Sequence, residues 1–248
     1  MDIAIEAITV ELDGKLILEG LTACWSGPRV IGLIGANGSG KSTLLRTVTG
    51  EVVPTRGSVR VDGRLIGMGK PWKAFASGVY RVPQENRLPG GVSVRDCLMM
   101  AQDRSVYDTL AGSIGTAGLR RALAMREHRA IEVLQSCDCG DILDAVISRL
   151  SFGQQRIVSV LCGMASSRPV LLLDEPFAGL DSATLDILLV VLGGLRRLGR
   201  LLVIADHNVG ALSSIADELV LLKDRVVVLT GPPRTVLDSG CYATLFNR

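Results

Sequence analysis

The amino-acid sequence predicts an α/β fold with a mostly parallel sheet. Short apolar runs typical of buried strands alternate with stretches of helical spacing near both ends of the chain. Between them, over 92–166, strand patterns are absent and helical patterns replace them. The chain has 248 residues, 48% of them apolar and 21% charged, which is enough for one large domain or two small ones sharing a core.

The N-terminal part is predicted to begin with two strands. Ile3–Leu12 and Lys15–Leu21 are short, apolar and partly alternating, and Asp13–Gly14 between them suits a turn. Val30–Ile34 is an apolar run typical of a buried strand, and helical spacing follows over Lys41–Gly50. These elements form the start of a sheet domain.

A second hairpin and a further strand are predicted next. Ser58–Val61 and Leu65–Gly67 flank Asp62–Gly63, a dipeptide that favours a tight turn. Gly78–Val82 is a strand that ends at Pro83.

The middle of the chain is predicted to be helical. Helices are expected over Val94–Ala101, Ala117–Gln135 and Gln154–Met164, after a linker rich in turn residues at Glu85–Gly91. The sequence therefore predicts a helical subdomain over 86–166, inserted into a sheet domain formed by 1–85 and 167–248.

The C-terminal part returns to alternating strands and helices. Strands are predicted over Val170–Leu173 and Leu201–Ile204, with a helix over Ser182–Leu198 between them. Glu218–Leu222 and Arg225–Leu229 are predicted to form a final hairpin.

Composition and charge exclude several classes. The net charge of +2 argues against an extended nucleic-acid-binding surface. No run of 18 uncharged apolar residues is present, so no transmembrane helix is predicted, and the acidic N-terminus is not a secretory signal. Six cysteines fit a reduced cytosolic compartment. With only two histidines in the chain, Cys137 and Cys139 are better explained as ordinary thiols than as a zinc site.

A glycine-rich stretch lies between the predicted strand Val30–Ile34 and the helix that follows it. It satisfies G-x-x-x-x-G-K-[ST], and its glycines allow backbone N–H groups to surround phosphate oxygens. Lys41 would place a charge between the β- and γ-phosphates, and Ser42 would bind Mg²⁺. The predicted nucleotide-binding residues are Gly35, Ala36, Asn37, Gly38, Ser39, Gly40, Lys41, Ser42 and Thr43.

Two carboxylates follow the predicted strand Val170–Leu173. Asp174 would lie at the same sheet edge as the phosphate loop, where it can face the metal. Glu175 is a second carboxylate that can polarise the attacking water. Gln84 and His207 also follow strands, and each can reach the γ-phosphate from the same edge.

These ordered motifs resemble the nucleotide-binding subunit of ATP-binding cassette (ABC) transporters. GANGSGKST is similar to the family's Walker A loop, and VLLLDEP to its Walker B strand with the catalytic glutamate. Gln84 stands at the Q-loop position, His207 matches the switch histidine, and GLDS, containing Asp181, resembles the D-loop. LSFGQQR resembles the signature usually written LSGGQ. The resemblance implies a P-loop NTPase (RecA-like) core with a mixed sheet, an antiparallel β subdomain and an inserted α-helical subdomain.

The resemblance further implies a dimer that binds two ATP molecules with Mg²⁺. Each ATP would lie on one chain's Walker A loop and be covered by the other chain's signature, here Ser151, Phe152, Gly153 and Gln154. Glu175 would act as general base, with Gln84 and His207 positioning the γ-phosphate, metal and water. The expected metal-site residues are Ser42, Gln84 and Asp174. Asp181 would couple the two sites.

The family also implies partners and a location. Transmembrane permease subunits are expected to contact Gln84–Asp96, at the cytoplasmic face of the bacterial inner membrane. The signature, with its aromatic residue, resembles the signatures of the ATPases of branched-chain amino acid and urea importers. This resemblance implies a periplasmic solute-binding protein. The alternatives are an exporter or lipid system, and a soluble ABC ATPase acting on DNA or ribosomes. A P-loop GTPase or kinase would leave LSFGQQR unexplained and lacks N-K-x-D here.

Two positions depart from the family pattern. Residues 1–24 contain no aromatic side chain to stack on adenine, and the matching position falls near Leu12. Weaker or less base-selective nucleotide binding is therefore expected. Asn208 follows His207 where relatives often carry aspartate, and this is expected to alter the local hydrogen bonding.

Overall fold

A computed structural model describes residues 1–67, 69–85, 88–102, 124, 128, 131, 132, 135 and 140–246. Ten strands are described: β1 (Asp2–Leu12), β2 (Lys15–Ser26), β3 (Val30–Ile34), β4 (Arg56–Val61), β5 (Arg64–Leu65), β6 (Val79–Val82), β7 (Val170–Asp174), β8 (Leu201–Ala205), β9 (Glu218–Lys223) and β10 (Val226–Gly231). The described α-helices are α1 (Lys41–Val48), α2 (Pro71–Ala76), α3 (Val94–Ala101), α4 (Phe152–Ala165), α5 (Ser182–Arg197), α6 (Val209–Ile215), α7 (Pro233–Leu237) and α8 (Gly240–Phe246).

The main sheet has six strands in the order β10-β9-β3-β8-β7-β6. β3, β6, β7, β8 and β9 are parallel, whereas β10 pairs antiparallel with β9, so the sheet is mixed. Every residue of β3, β7 and β8 is buried, which explains why these strands are continuous apolar runs without alternation. Their carboxyl ends lie at one edge, where the predicted catalytic residues follow.

A second, antiparallel sheet has the order β2-β1-β4-β5. Asp62 and Gly63 both have positive φ in the β4–β5 turn, as a two-residue hairpin loop with right-handed twist requires. Ile3, Ile5 and Ile8 of β1 are buried in one hydrophobic core with Trp25 of β2 and residues of the main sheet.

The chain divides into two compact units. The first comprises Met1–Gln84, Arg168–Ala178 and Leu192–Arg248 and contains both sheets; the second comprises Glu85–Ser167 and Gly179–Val191. In the second unit α3 contacts α4, and the Sγ atoms of Cys97 and Cys162 lie 3.6 Å apart between them.

The α/β fold class is confirmed, with its mixed and antiparallel sheets. Val30–Ile34 and Val94–Ala101 agree at both ends, and β2 runs five residues beyond the predicted Leu21, to Ser26. The patterns did not predict the short helices α2, α6, α7 and α8, since five to seven residues are too few to establish a helical period. The helix predicted over Ala117–Gln135 and the pair Cys137 and Cys139 lie largely outside the described residues.

Candidate active site

The phosphate loop connects the buried strand β3 to helix α1. Gly40, at the N-cap of α1, has a φ of 101°, and a Cβ there would lie 2.6 Å from Leu18 Cδ2. A side chain is therefore excluded both by backbone conformation and by space. The helix begins at Lys41, so its free backbone N–H groups face the loop, as an anion site requires.

Lys41 lies buried within this loop. Its Nζ donates hydrogen bonds to Gly35 O at 2.8 Å and to Ala36 O at 3.1 Å. Burial lowers the pKa of Lys41, and the nearby carboxylates of Glu175 and Asp174 oppose that shift. A buried cation at the beginning of a helix is suited to binding the negative charge of phosphate.

Asp174 ends strand β7 beside the phosphate loop. Its side chain is buried, and Oδ1 accepts a hydrogen bond from Ser42 Oγ at 2.8 Å. Burial raises the pKa of Asp174, while the Ser42 hydrogen bond and the charge of Arg81 act in the opposite direction. A carboxylate and a hydroxyl oxygen held together are hard ligands of the kind that Mg²⁺ prefers, so the residues present fit the expected metal.

Arg81 and Glu51 are residues of this site that the sequence interpretation missed. Arg81 Nη1 lies 3.4 Å from Asp174 Oδ2, and Arg81 Nη2 donates to Glu51 Oε2 at 2.7 Å. The sequence around Arg81 and Glu51 does not indicate their role, because the contact of Arg81 with Asp174 depends on the pairing of β6 with β7.

Glu175 has an unusual backbone conformation. Its φ is +47°, in the left-handed region, and its N–H donates to Ala205 O at 2.7 Å. Its Oε2 accepts a hydrogen bond from Gln84 Nε2 at 2.8 Å. Such strain persists only where the surroundings enforce it, and it occurs often at functional sites.

One cleft brings together residues from four predicted motifs. A space of ≈ 380 Å³ is lined by Asn37, Gly38, Gln84, Glu175 and His207. These residues come from the phosphate loop and from positions after β6, β7 and β8. The parallel register therefore places the expected base, glutamine and histidine around the phosphate loop.

Asp206 is a further residue of the site that the sequence interpretation missed. It is fully buried, its Oδ2 accepts from Phe177 N at 2.9 Å, and its Oδ1 accepts from Asn208 N at 2.8 Å. The His207 Nδ1 atom lies 3.6 Å from Asp206 Oδ1. Asn208 in turn caps α6, because its Oδ1 accepts a hydrogen bond from Ala211 N at 3.0 Å.

The signature residues lie in the second unit, at the start of α4. Ser151 is the N-cap: its Oγ accepts from Gln154 N at 3.2 Å, and Gln154 Oε1 accepts from Ser151 N at 3.0 Å. This reciprocal capping box explains the polar letters at the beginning of an apolar helix. Phe152 is 52% exposed, and the Arg156 guanidinium lies 5.6 Å from its ring centroid.

Gly153 and Asp181 both lie against the beginning of α5. A Cβ on Gly153 would be 2.9 Å from Thr184 Cγ2, so the glycine permits close helix packing. Asp181 Oδ1 accepts from Thr184 N at 2.9 Å, and Oδ2 accepts from Thr184 Oγ1 at 3.1 Å. These hydrogen bonds lower the pKa of Asp181.

Leu12 lies where the family has its adenine-stacking aromatic residue. It ends β1 opposite Lys15, and it is partly buried against the hydrophobic core. Its side chain has no π face on which a base can stack, so the expected consequence for nucleotide affinity stays a prediction.

The strand, phosphate loop and helix, with the carboxylate at the end of β7 hydrogen-bonded to Ser42, define a P-loop nucleotide-binding protein. The family model described as "ABC transporter" matches residues 18–178, and the chain belongs to this family. Its homologues are ATP-binding subunits of transport systems, mostly for import and with varied substrates.

Individual relatives are similar at about the same level. The chain is 29% identical over 238 residues to the high-affinity branched-chain amino acid transport ATP-binding protein BraF of Pseudomonas aeruginosa, covering 95% of this chain and 93% of that one. It is 32% identical over 239 residues to the cobalt import ATP-binding protein CbiO of Rhodobacter capsulatus, covering 95% and 80%. It is 30% identical over 247 residues to the autoinducer 2 import ATP-binding protein LsrA of Enterobacter sp. (strain 638), covering 99% of this chain and only 46% of that relative's length.

Solved structures share the fold. A nucleotide-free ATP-binding cassette from an ABC transporter has a TM-score of 0.82 at 20% identity and covers 99% of both chains. The ADP conformation of another ATP-binding cassette has a TM-score of 0.82 at 20% identity, covering 100% of this chain and 99% of that one. Within the part of the chain that the structure describes, no helix is both long and apolar enough to cross a membrane.

Proposed function

We propose that this chain binds and hydrolyses MgATP to drive a transport cycle. The observation that carries the proposal is the cleft in which Gln84, Glu175 and His207 surround the phosphate loop. Membership of the ABC transporter family supports nucleotide hydrolysis coupled to transport. The reaction is ATP and water to ADP and phosphate.

Each residue in and beside the cleft has a role that its geometry supports. Lys41 and the backbone N–H groups of the loop neutralise phosphate charge, and Ser42 with Asp174 would hold Mg²⁺. The metal supplies charge neutralisation at the β- and γ-phosphates when bound. Glu175 takes the proton of the attacking water, and Gln84 orients the Glu175 carboxylate by donating a hydrogen bond to its Oε2. His207 contacts the γ-phosphate side of the cleft.

The signature is proposed to act on a second chain. Ser151 and Gly153 start a helix whose N-terminus carries partial positive charge, an arrangement that suits the γ-phosphate of a partner's ATP. Phe152 and Gln154 form the rest of this surface, and Asp181 is proposed to couple the two sites. The partner is a second ABC ATPase subunit, of the same or a related chain.

The transport function is proposed to be import of a small polar solute, such as a branched-chain amino acid or urea. Similarity to BraF over nearly the whole length of both chains supports it. The chain would bind permease subunits through Gln84–Asp96, where the sheet domain joins the helical subdomain 86–166, at the cytoplasmic face of the inner membrane. A periplasmic solute-binding protein would deliver the solute.

The Glu175→Gln variant tests hydrolysis. It removes the proposed base without changing side-chain shape, so we expect retained MgATP binding and loss of most ATPase activity, by about 100-fold or more. Glu11→Gln, an exposed acid on β1, is the control and should hydrolyse like wild type. Wild-type turnover in the Glu175→Gln variant, with membrane partners present, would show that another group is the base.

The transport function is tested by isolating the wild-type chain from its membranes. Isolation of the chain from native membranes is expected to bring down a polytopic permease, and the reconstituted complex should hydrolyse ATP faster with its solute present. Copurification with ribosomes or DNA in place of a permease would contradict a transport function.

A further inference from the structure

We propose that Asp206 is a positioning residue that holds the Glu175 loop and His207 in their catalytic arrangement. This inference deepens the proposed function and rests on it, because it assumes that Glu175 and His207 act in hydrolysis. Asp206 itself lies outside the lining of the cleft, so it acts through its neighbours.

Asp206 is a buried carboxylate with a hydrogen bond to each of its oxygens. Asp206 has no exposed surface, and a charge removed from water is tolerated only when hydrogen bonds replace its hydration. Each oxygen accepts from a backbone N–H of a different loop: Oδ2 from Phe177 at 2.9 Å, and Oδ1 from Asn208 at 2.8 Å. Such charge-assisted bonds are about twice as strong as neutral ones. One side chain therefore ties together the segments that follow β7 and β8.

Glu175 has a strained backbone conformation. Its φ of +47° is unfavourable in a residue that is not glycine, so neighbouring contacts must maintain it. Two successive residues provide them. Ala205 O accepts the Glu175 N–H at 2.7 Å, and Asp206 accepts the N–H of Phe177 two residues further on. The turn that carries the base is thus held at both ends by the end of β8 and the residue after it.

His207 lies beside the same carboxylate. Its Nδ1 lies 3.6 Å from Asp206 Oδ1, too long for a hydrogen bond but close enough for the negative charge to favour a proton on Nδ1. The Nε2 atom then remains the nitrogen that is free to meet a ligand in the cleft. Asp206 therefore sets both the position of the loop and the tautomer of the imidazole.

Asp206→Asn is the sharpest test, because it keeps the size of the side chain. The amide offers one acceptor oxygen where the carboxylate has two, so its NH₂ must face one of the two backbone N–H donors. We expect kcat to fall about tenfold or more while KM for MgATP changes less than about twofold, as for the loss of an orienting hydrogen bond behind a catalytic group.

Asp217→Asn is the matched control. Asp217 Oδ2 also accepts from a backbone N–H, that of Val30 at 2.9 Å, but at the opposite end of β3 from the phosphate loop. The Asp217→Asn variant should keep the wild-type kcat. An equal fall of kcat in both variants, or an unchanged kcat in Asp206→Asn, would overturn the proposal. If Asp206→Asn does not fold, Asp206→Ser, which retains one acceptor without the amide donors, is measured in its place with the same expected fall.

The tautomer of the His207 imidazole, measured by NMR, tests the role of Asp206 independently of activity. The chain has two histidines, so His128→Gln leaves His207 as the only ¹⁵N-labelled imidazole. We expect the Nδ1–H tautomer with Asp206 present, and a shift towards the Nε2–H tautomer in Asp206→Asn. An unchanged tautomer overturns the role assigned to the carboxylate. The proposed function can fail independently of this inference. Full ATPase activity of Glu175→Gln would show that Glu175 is not the base, but it would not change the His207 tautomer.

Discussion

Ser151 shows how one residue can be required locally and also be available for a partner. Its hydroxyl accepts the Gln154 N–H and completes a capping box, which explains a serine at the beginning of α4 without reference to any ligand. The same residue lies on the surface proposed to meet a partner's γ-phosphate. The two explanations predict different behaviour for two substitutions.

Ser151→Ala removes the cap, and we expect a loss of stability of about 1 kcal/mol. Ser151→Asp keeps a capping oxygen, so its unfolding midpoint in urea should match wild type. It also places a negative charge where a phosphate is proposed to bind, and hydrolysis should be lost. Wild-type hydrolysis by Ser151→Asp would mean that Ser151 serves as a cap alone.

At the scale of elements, the beginnings of α4 and α5 approach each other closely at Gly153 and Thr184. Gly153, one residue after the start of α4, leaves no room for a Cβ beside Thr184, whose backbone and hydroxyl are both bonded to Asp181. The signature and the D-loop are therefore mechanically connected through Thr184. We expect a displacement of either segment to be transmitted to the other through Thr184.

Gly153→Ala is predicted to destabilise the protein through this contact. The new Cβ would be 2.9 Å from Thr184 Cγ2, and overpacking of this kind costs about 1–3 kcal/mol. Adding Thr184→Ala removes Cγ2 and leaves Thr184 Cβ at 3.4 Å, so the double variant should recover part of the loss. Urea unfolding of the two single variants and the double variant measures the coupling energy. Strictly additive effects would contradict a direct clash.

At the scale of the whole molecule, the proposed dimer has a consequence that one chain cannot reproduce. The phosphate loop belongs to the first unit and the signature to the second. If each site is shared between chains, a defect in the loop and a defect in the signature can complement each other in mixed dimers.

Lys41→Ala and Ser151→Asp are each predicted to be inactive as pure proteins. In a mixed dimer, one site combines the intact loop of one chain with the intact signature of the other. An equal mixture after subunit exchange should recover about a quarter of wild-type ATPase activity, because half of the dimers are mixed and each has one intact site. Complete inactivity of the mixture, with dimers confirmed by size, would contradict sites shared between chains.

The buried strands were predictable because a strand that is buried on both faces requires mostly apolar residues. β3, β7 and β8 are covered on both faces, so their letters are continuously apolar, and the boundaries of β3 followed from them without error. Helices α2, α6, α7 and α8 escaped prediction, because a helix of five to seven residues has at most two turns in which to show a period.

The sequence by itself determined the chemistry: a lysine, a serine, two adjacent acids, a glutamine and a histidine, each after an apolar strand in an order typical of one family. Only the tertiary structure showed that Arg81 lies between Asp174 and Glu51, and that Asp206 ties together the segments that follow β7 and β8. The physical reason is that these contacts depend on strand register and burial. Asp206 becomes fully buried, and Arg81 partly buried beside Asp174, only when β6, β7 and β8 pair.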